Sequence, residues 1–168
     1  NMMTSSSSTY TRAQKVLHWS MALLIIFNLL LAEGIEALSD AAETGAAPAF
    51  NDVVMGNMHV AAGCAVLLLA LVRLYLSLTR GVPTPPPHEP KAARIAAKVV
   101  HSAFYLLFII MPATGLATYY AEIEGADYLH GEPLRLAMWS LIFLHLSAIA
   151  GHRLVWRTNI IGRMIGSR

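Results

Sequence analysis

Seven histidines stand in this 168-residue chain, and five lie inside long stretches that hold no charged residue. The stretches are 16–32, 53–72, 99–121 and 136–152, and they carry His18, His59, His101, His145 and His152. His130 sits just ahead of the last stretch, and His88 lies in a proline-rich segment. Imidazole exchanges protons near neutral pH and, when neutral, offers a nitrogen lone pair to a metal. An ionisable side chain in hydrocarbon is expensive, so it marks a functional position with a partner to be named. A single one could be an internally bonded polar residue. Five spread over four stretches point to a site.

The stretches that must position these residues each have about the ~17–25 residues a helix needs to cross a hydrocarbon core. Hydrophobic residues make up 56% of the chain and charged ones 13%, about half the usual charged share of a soluble domain. The predicted fold class is therefore all-α, a four-helix transmembrane bundle with both termini cytoplasmic. Residues 1–10 are expected to be a disordered N-terminal tail, 11–164 the membrane domain, and 165–168 a C-terminal tail. The first stretch is long for the apolar region of a cleaved signal peptide and carries His18-Trp19, so it is expected to remain as a span. No room is left for a separate soluble catalytic domain. The single cysteine, Cys64, excludes an internal disulfide and a cysteine-ligated cluster held by this chain alone.

The charges set the orientation. Eleven of the twelve Lys and Arg flank one side: Arg12 and Lys15, the segment from Arg73 to Lys98, and the segment from Arg153 to Arg168. Nine of the ten acids flank the other, from Glu33 to Asp52 and from Glu122 to Glu132. By the positive-inside rule the basic side is cytoplasmic. Anionic headgroups and topology account for that basic face, and no nucleic-acid partner is needed. Helix 1 is expected from near Thr11 to near Glu33, followed by an outer loop with at most one short surface helix. Helix 2 should run to about Thr79, with Arg73 near its inner end placed to snorkel or meet an anion. Residues 83–90 hold five prolines and read as a stiff link. Residues 91–98 read as a basic amphipathic turn feeding helix 3, which Pro112 should kink. Helix 4 should run from about Pro133 to near Thr158.

Depth along these helices separates a cytoplasmic-half cluster (His18, His101, His145, His152) from a smaller outer one (His59, His130). His145 and His152 are two turns apart and share a face. Two imidazoles on facing helices, one macrocycle's thickness apart, form a bis-histidine site for haem b. No Cys-x-x-Cys-His occurs, so covalent attachment is excluded. The site residues are thus cofactor-binding, with no catalytic side chain assigned and no metal beyond haem iron indicated.

The order and spacing of several short motifs resemble the bacterial di-haem cytochrome b561 family over roughly residues 11–164. They are Lys15-Val16-Leu17-His18-Trp19, Met58-His59-Val60, and Pro83-Thr84-Pro85-Pro86. His101 follows with Tyr105-Leu106-Leu107-Phe108, Pro112 and Gly115, and then Leu144-His145, His152, Trp156 and Asn159. The resemblance implies two haems b stacked across the bilayer of the bacterial inner membrane. It implies His18 and His145 as axial ligands of the inner haem iron and His59 as one ligand of the outer. In the family the partner of His59 usually lies fourteen residues before the position of His145, which here is Gly131. His130, one residue further out, is the candidate. A non-histidine ligand or the absence of an outer haem are the alternatives, and Met55, Met58 and Met138 could also reach iron. His101 and His152 match a quinone-binding region, with Lys91, Arg94 and Lys98 close by in sequence.

Function follows as one-electron transfer between an outer-face redox partner and the quinone pool, with ubiquinone as acceptor or donor. Some members of the family are superoxide oxidases that reduce ubiquinone. The acids of the outer loops, set against Arg135 alone, should repel that anion and favour a cationic periplasmic redox protein. A second class of function is a haem-bearing anchor or accessory subunit of a larger respiratory complex or dehydrogenase. A third, a haem-free transporter with proton-relay histidines, would be colourless. His88 reads as merely solvated, and His101, His152, Arg73 and Arg153 each admit a plain structural reading.

Overall fold

The computed structural model describes residues 10–85, 89–121, 123 and 125–166. The expected tail at 1–9, His88 with the two residues before it, Glu122, Glu124 and the last two residues lie outside the described residues. Seven helices make up the rest, and no strand occurs among the described residues. They are α1 (Arg12–Leu30), α2 (Ala32–Thr44), α3 (Phe50–Arg80), α4 (Lys91–Ala121), α5 (Ala126–Gly131), α6 (Pro133–Leu154) and α7 (Ile160–Ile165). Four stretches, Arg12–Thr44, Phe50–Arg80, Lys91–Ala121 and Ala126–Leu154, are long and apolar enough to cross a membrane.

Local chemistry accounts for most boundaries. Thr11 and Gln14 close a capping box at the start of α1, so two of the orphan N–H groups there are satisfied reciprocally. Gln14 is buried and donates from Nε2 to the Gly81 carbonyl at 3.0 Å, which ties the start of α1 to the end of α3. Gly45 ends α2 in the left-handed region at φ 69°, a conformation that costs glycine little. Pro133 opens α6, where the missing N–H is not needed.

Three expected boundaries move. Helix 1 ends at Leu30 rather than near Glu33, because Leu31 leaves helical geometry and α2 restarts at Ala32. The outer loop is mostly this thirteen-residue α2, packed on α3. Residues 91–98 are the first turns of α4 itself, which then continues through Pro112. Helix 4 ends at Leu154, and the chain turns through Val155–Asn159 into α7. Thr158 N bonds the His152 carbonyl across this turn at 2.9 Å.

α1 packs on α3, α3 on α4, and α4 on α6. The shared core is thin: Met21, Ile25, Val66, Ala70, Leu107, Phe108 and Met138. Outside it, Leu23 and Phe143 are each 71% exposed and Leu68 63%. A soluble protein of this size would not present so much apolar surface, whereas lipid tails solvate it at no cost. The backbones of α1 and α6 are not closely packed, and neither are those of α3 and α5. The candidate histidines face these two seams.

Candidate functional site

At the end of the bundle flanked by most of the acids, called outer from the charge pattern, His59 of α3 and His130 of α5 face each other with ring centres 5.9 Å apart. His130 does not continue the register of α6. Glu132 breaks the helix just before Pro133, so α5 is a separate short element that turns the ring inward. Gly131 has open space around it. Each ring is anchored by main chain: His59 Nδ1 lies 3.2 Å from the Asn28 carbonyl, and His130 Nδ1 lies 2.7 Å from that of Met111. A carbonyl oxygen only accepts, so both Nδ1 atoms carry the hydrogen and both Nε2 atoms hold a free lone pair. Both rings line a cavity of about 550 Å³, the size of a ligand pocket. A Cβ at Gly115 would stand 2.8 Å from His130 Cε1. Inside the same cavity the buried Oδ1 of Asn28 has no hydrogen-bond partner.

At the other end, His18 of α1 and His145 of α6 have ring centres 6.3 Å apart. His101 of α4 meets His145 edge-on at 5.6 Å and donates from Nδ1 to the Ala97 carbonyl at 2.6 Å. Arg73 of α3 reaches into this group, with Nη1 2.9 Å from His18 Nδ1. Guanidinium only donates, so His18 Nδ1 accepts in this arrangement. Phe104 meets His145 edge-on at 5.7 Å and stacks on Phe108 at 5.5 Å. Phe108 in turn lines the outer cavity, so an aromatic column runs between the two clusters.

His152 stands apart from the cluster in which the sequence grouped it. It is buried at the end of α6 against Glu89, Thr158 and Trp156.

The model of the family described as prokaryotic cytochrome b561 matches residues 9–167. The chain belongs to the prokaryotic cytochrome b561 family. Among its relatives, a cytochrome b562 of Cereibacter sphaeroides is 31% identical over 162 residues, covering 95% of this chain and 96% of that one. A probable superoxide oxidase CybB of Yersinia pestis is 30% identical over 178 residues, covering 93% of this chain and 95% of the relative.

As a cytochrome b561 the protein is a membrane haem protein, and its residues fit haem b. Two imidazoles that held one metal atom between them, each nitrogen about 2 Å from it, would place their ring centres about 6 Å apart. The separations of 5.9 Å and 6.3 Å match that span. The lone-pair state of His59 and His130, the glycine facing His130 and the unsatisfied Asn28 oxygen all suit a polar-edged flat ligand in the outer cavity. His18 would hold iron through Nε2 only in the tautomer with hydrogen on Nδ1, and Arg73 beside it would suit an anionic group such as a propionate.

Sequence reasoning did not single out Glu89, Asn28 or Phe104. Glu89 had a signal, as the one acid on the basic side. Asn28 had a weaker one, as an amide inside an apolar stretch, and Phe104 had none that set it apart from filling.

Proposed function

We propose that the chain is a di-haem b electron-transfer protein of the bacterial inner membrane, working between an outer-face one-electron partner and the quinone pool. His18 and His145 are the axial ligands of the inner haem, and His59 and His130 those of the outer. Both termini lie in the cytoplasm, as the basic flanks require. The haems supply the redox chemistry, and the protein sets ligation, burial and access. His152, buried beside the exposed Trp156 at the cytoplasmic end, is the quinone-side residue. His101, beside the inner ligand His145, belongs with His152 to the quinone region.

The observation that carries this reading is the pair of facing histidines at each end, spaced for one metal atom apiece. A dithionite-reduced minus oxidised spectrum with pyridine haemochrome quantification tests it. Two haems b per polypeptide are expected. One haem per chain would remove the transmembrane electron path and leave a role confined to the quinone side.

The relative named as a probable superoxide oxidase supports superoxide as the outer donor. Local charge weighs against it. Arg135, the one cation of the outer side, is held by Glu36 at 2.9 Å and Glu132 at 3.4 Å. A cationic protein donor suits that acidic surface better than a small anion.

A further inference from the structure

Glu89 is the single acid on the basic side of the chain, yet its side chain is only 7% exposed. It precedes Pro90, whose carbonyl accepts from Arg94 N at 3.2 Å as α4 begins. A residue before proline favours an extended backbone, and from there the carboxyl reaches the end of α6. Its Oε1 lies 3.1 Å from His152 Nε2. An unpaired carboxylate would not persist in such a place.

The other side of the imidazole fixes what lies between them. His152 Nδ1 is 3.0 Å from Thr158 Oγ1. That hydroxyl donates to the His152 carbonyl at 3.3 Å, so its oxygen accepts from Nδ1–H. With the Nδ1 hydrogen accounted for, the Nε2–carboxyl contact must itself contain a proton, whichever atom carries it. Two bare lone pairs at 3.1 Å would repel. The pair is therefore a loaded proton holder, and the Trp156 ring lies 4.7 Å from it at the membrane boundary.

We propose that Glu89 is the proton-loading residue of the quinone site, acting through His152. The inference rests on the quinone-linked reading above. A quinone oxygen takes the place of Glu89 Oε1 at His152 Nε2 and accepts its proton, breaking N–H and forming O–H. Glu89, left as a carboxylate, takes a proton from cytoplasmic water and passes it to Nε2, which restores the starting pair. Two such cycles, with two electrons passed singly from the one-electron donor at the outer face, convert both carbonyls of the quinone to hydroxyls. Quinol oxidation runs the same steps backwards.

The test uses the purified holoprotein, reduced stoichiometrically and mixed with decylubiquinone in stopped flow. Wild-type haem should reoxidise with a rate that slows in D₂O. Glu89→Gln should reoxidise about 100-fold more slowly, with quinone half-saturation within about twofold and haem absorption unchanged. Glu89→Asp should recover most of the rate. Equal rates in wild type and Glu89→Gln, or equal losses in Glu89→Gln and Glu89→Asp, would overturn the proposal. Wild-type haem that quinone cannot reoxidise would instead overturn the quinone-linked reading itself. Infrared difference spectra of the wild type alone give a second readout. A redox-linked carboxyl band that moves in D₂O is expected, and its absence refutes the loading role even if the variants do not fold.

Discussion

The hydrogen bonds from His59 to the Asn28 carbonyl and from His130 to the Met111 carbonyl decide more than ring orientation. They select the tautomer that can bind metal and make the free nitrogen more basic. Gly115 guards this arrangement, since any Cβ there meets the His130 ring. Gly115→Ala should therefore push His130 off its carbonyl and lower haem content towards one per chain, with the spectrum of the inner haem retained. Haemochrome quantification alongside low-temperature spectra reads that outcome directly. The Thr114 hydroxyl, 3.4 Å from His130 Nδ1, already donates to the carbonyls of Ile110 and Met111. It is a spectator to the ring's tautomer.

Among the elements, α2 has the least predictable role. It lies on α3 through two glycine contacts: a Cβ at Gly34 would stand 2.6 Å from Met55 Cβ, and one at Gly56 would collide with Leu38. Through Ile35 and Ser39 it also walls the outer cavity, and Glu36 reaches across to Arg135 on α6. Gly34→Ala should cost about 1–3 kcal/mol by overpacking and lift this wall. A lower temperature for outer-haem loss, measured by absorbance, checks it. The spans were legible because long charge-free runs have few other solutions in a chain this apolar. The place of His130 was partly legible, because Pro133 announces the break that frees it. The break at Leu31 was not: neither proline nor glycine marks it, and it follows from docking α2 onto α3. The pairing of Glu89 with His152 joins residues on different elements far apart in sequence, and only the folded chain brings them together. The same non-locality separated His152 from the cluster to which its depth had assigned it.

For the molecule as a whole, segregated charge is the dominant long-range feature. If a cationic soluble cytochrome is the outer partner, its electron-transfer rate should fall steeply as ionic strength rises, because a Debye length of about 10 Å at 0.1 M screens the acidic face. A salt-independent rate would instead favour a small neutral donor. The two seams where backbones stand apart, between α1 and α6 and between α3 and α5, bear on how such a protein comes into being. Helices whose backbones stand apart around a gap are less firmly held until something fills it. The cofactor is then masonry as much as machinery, and its arrival sets the moment when an inserted chain becomes a finished one. Chain made without haem should then form a looser bundle, and the level of the protein in haem-starved cells should fall together with its activity.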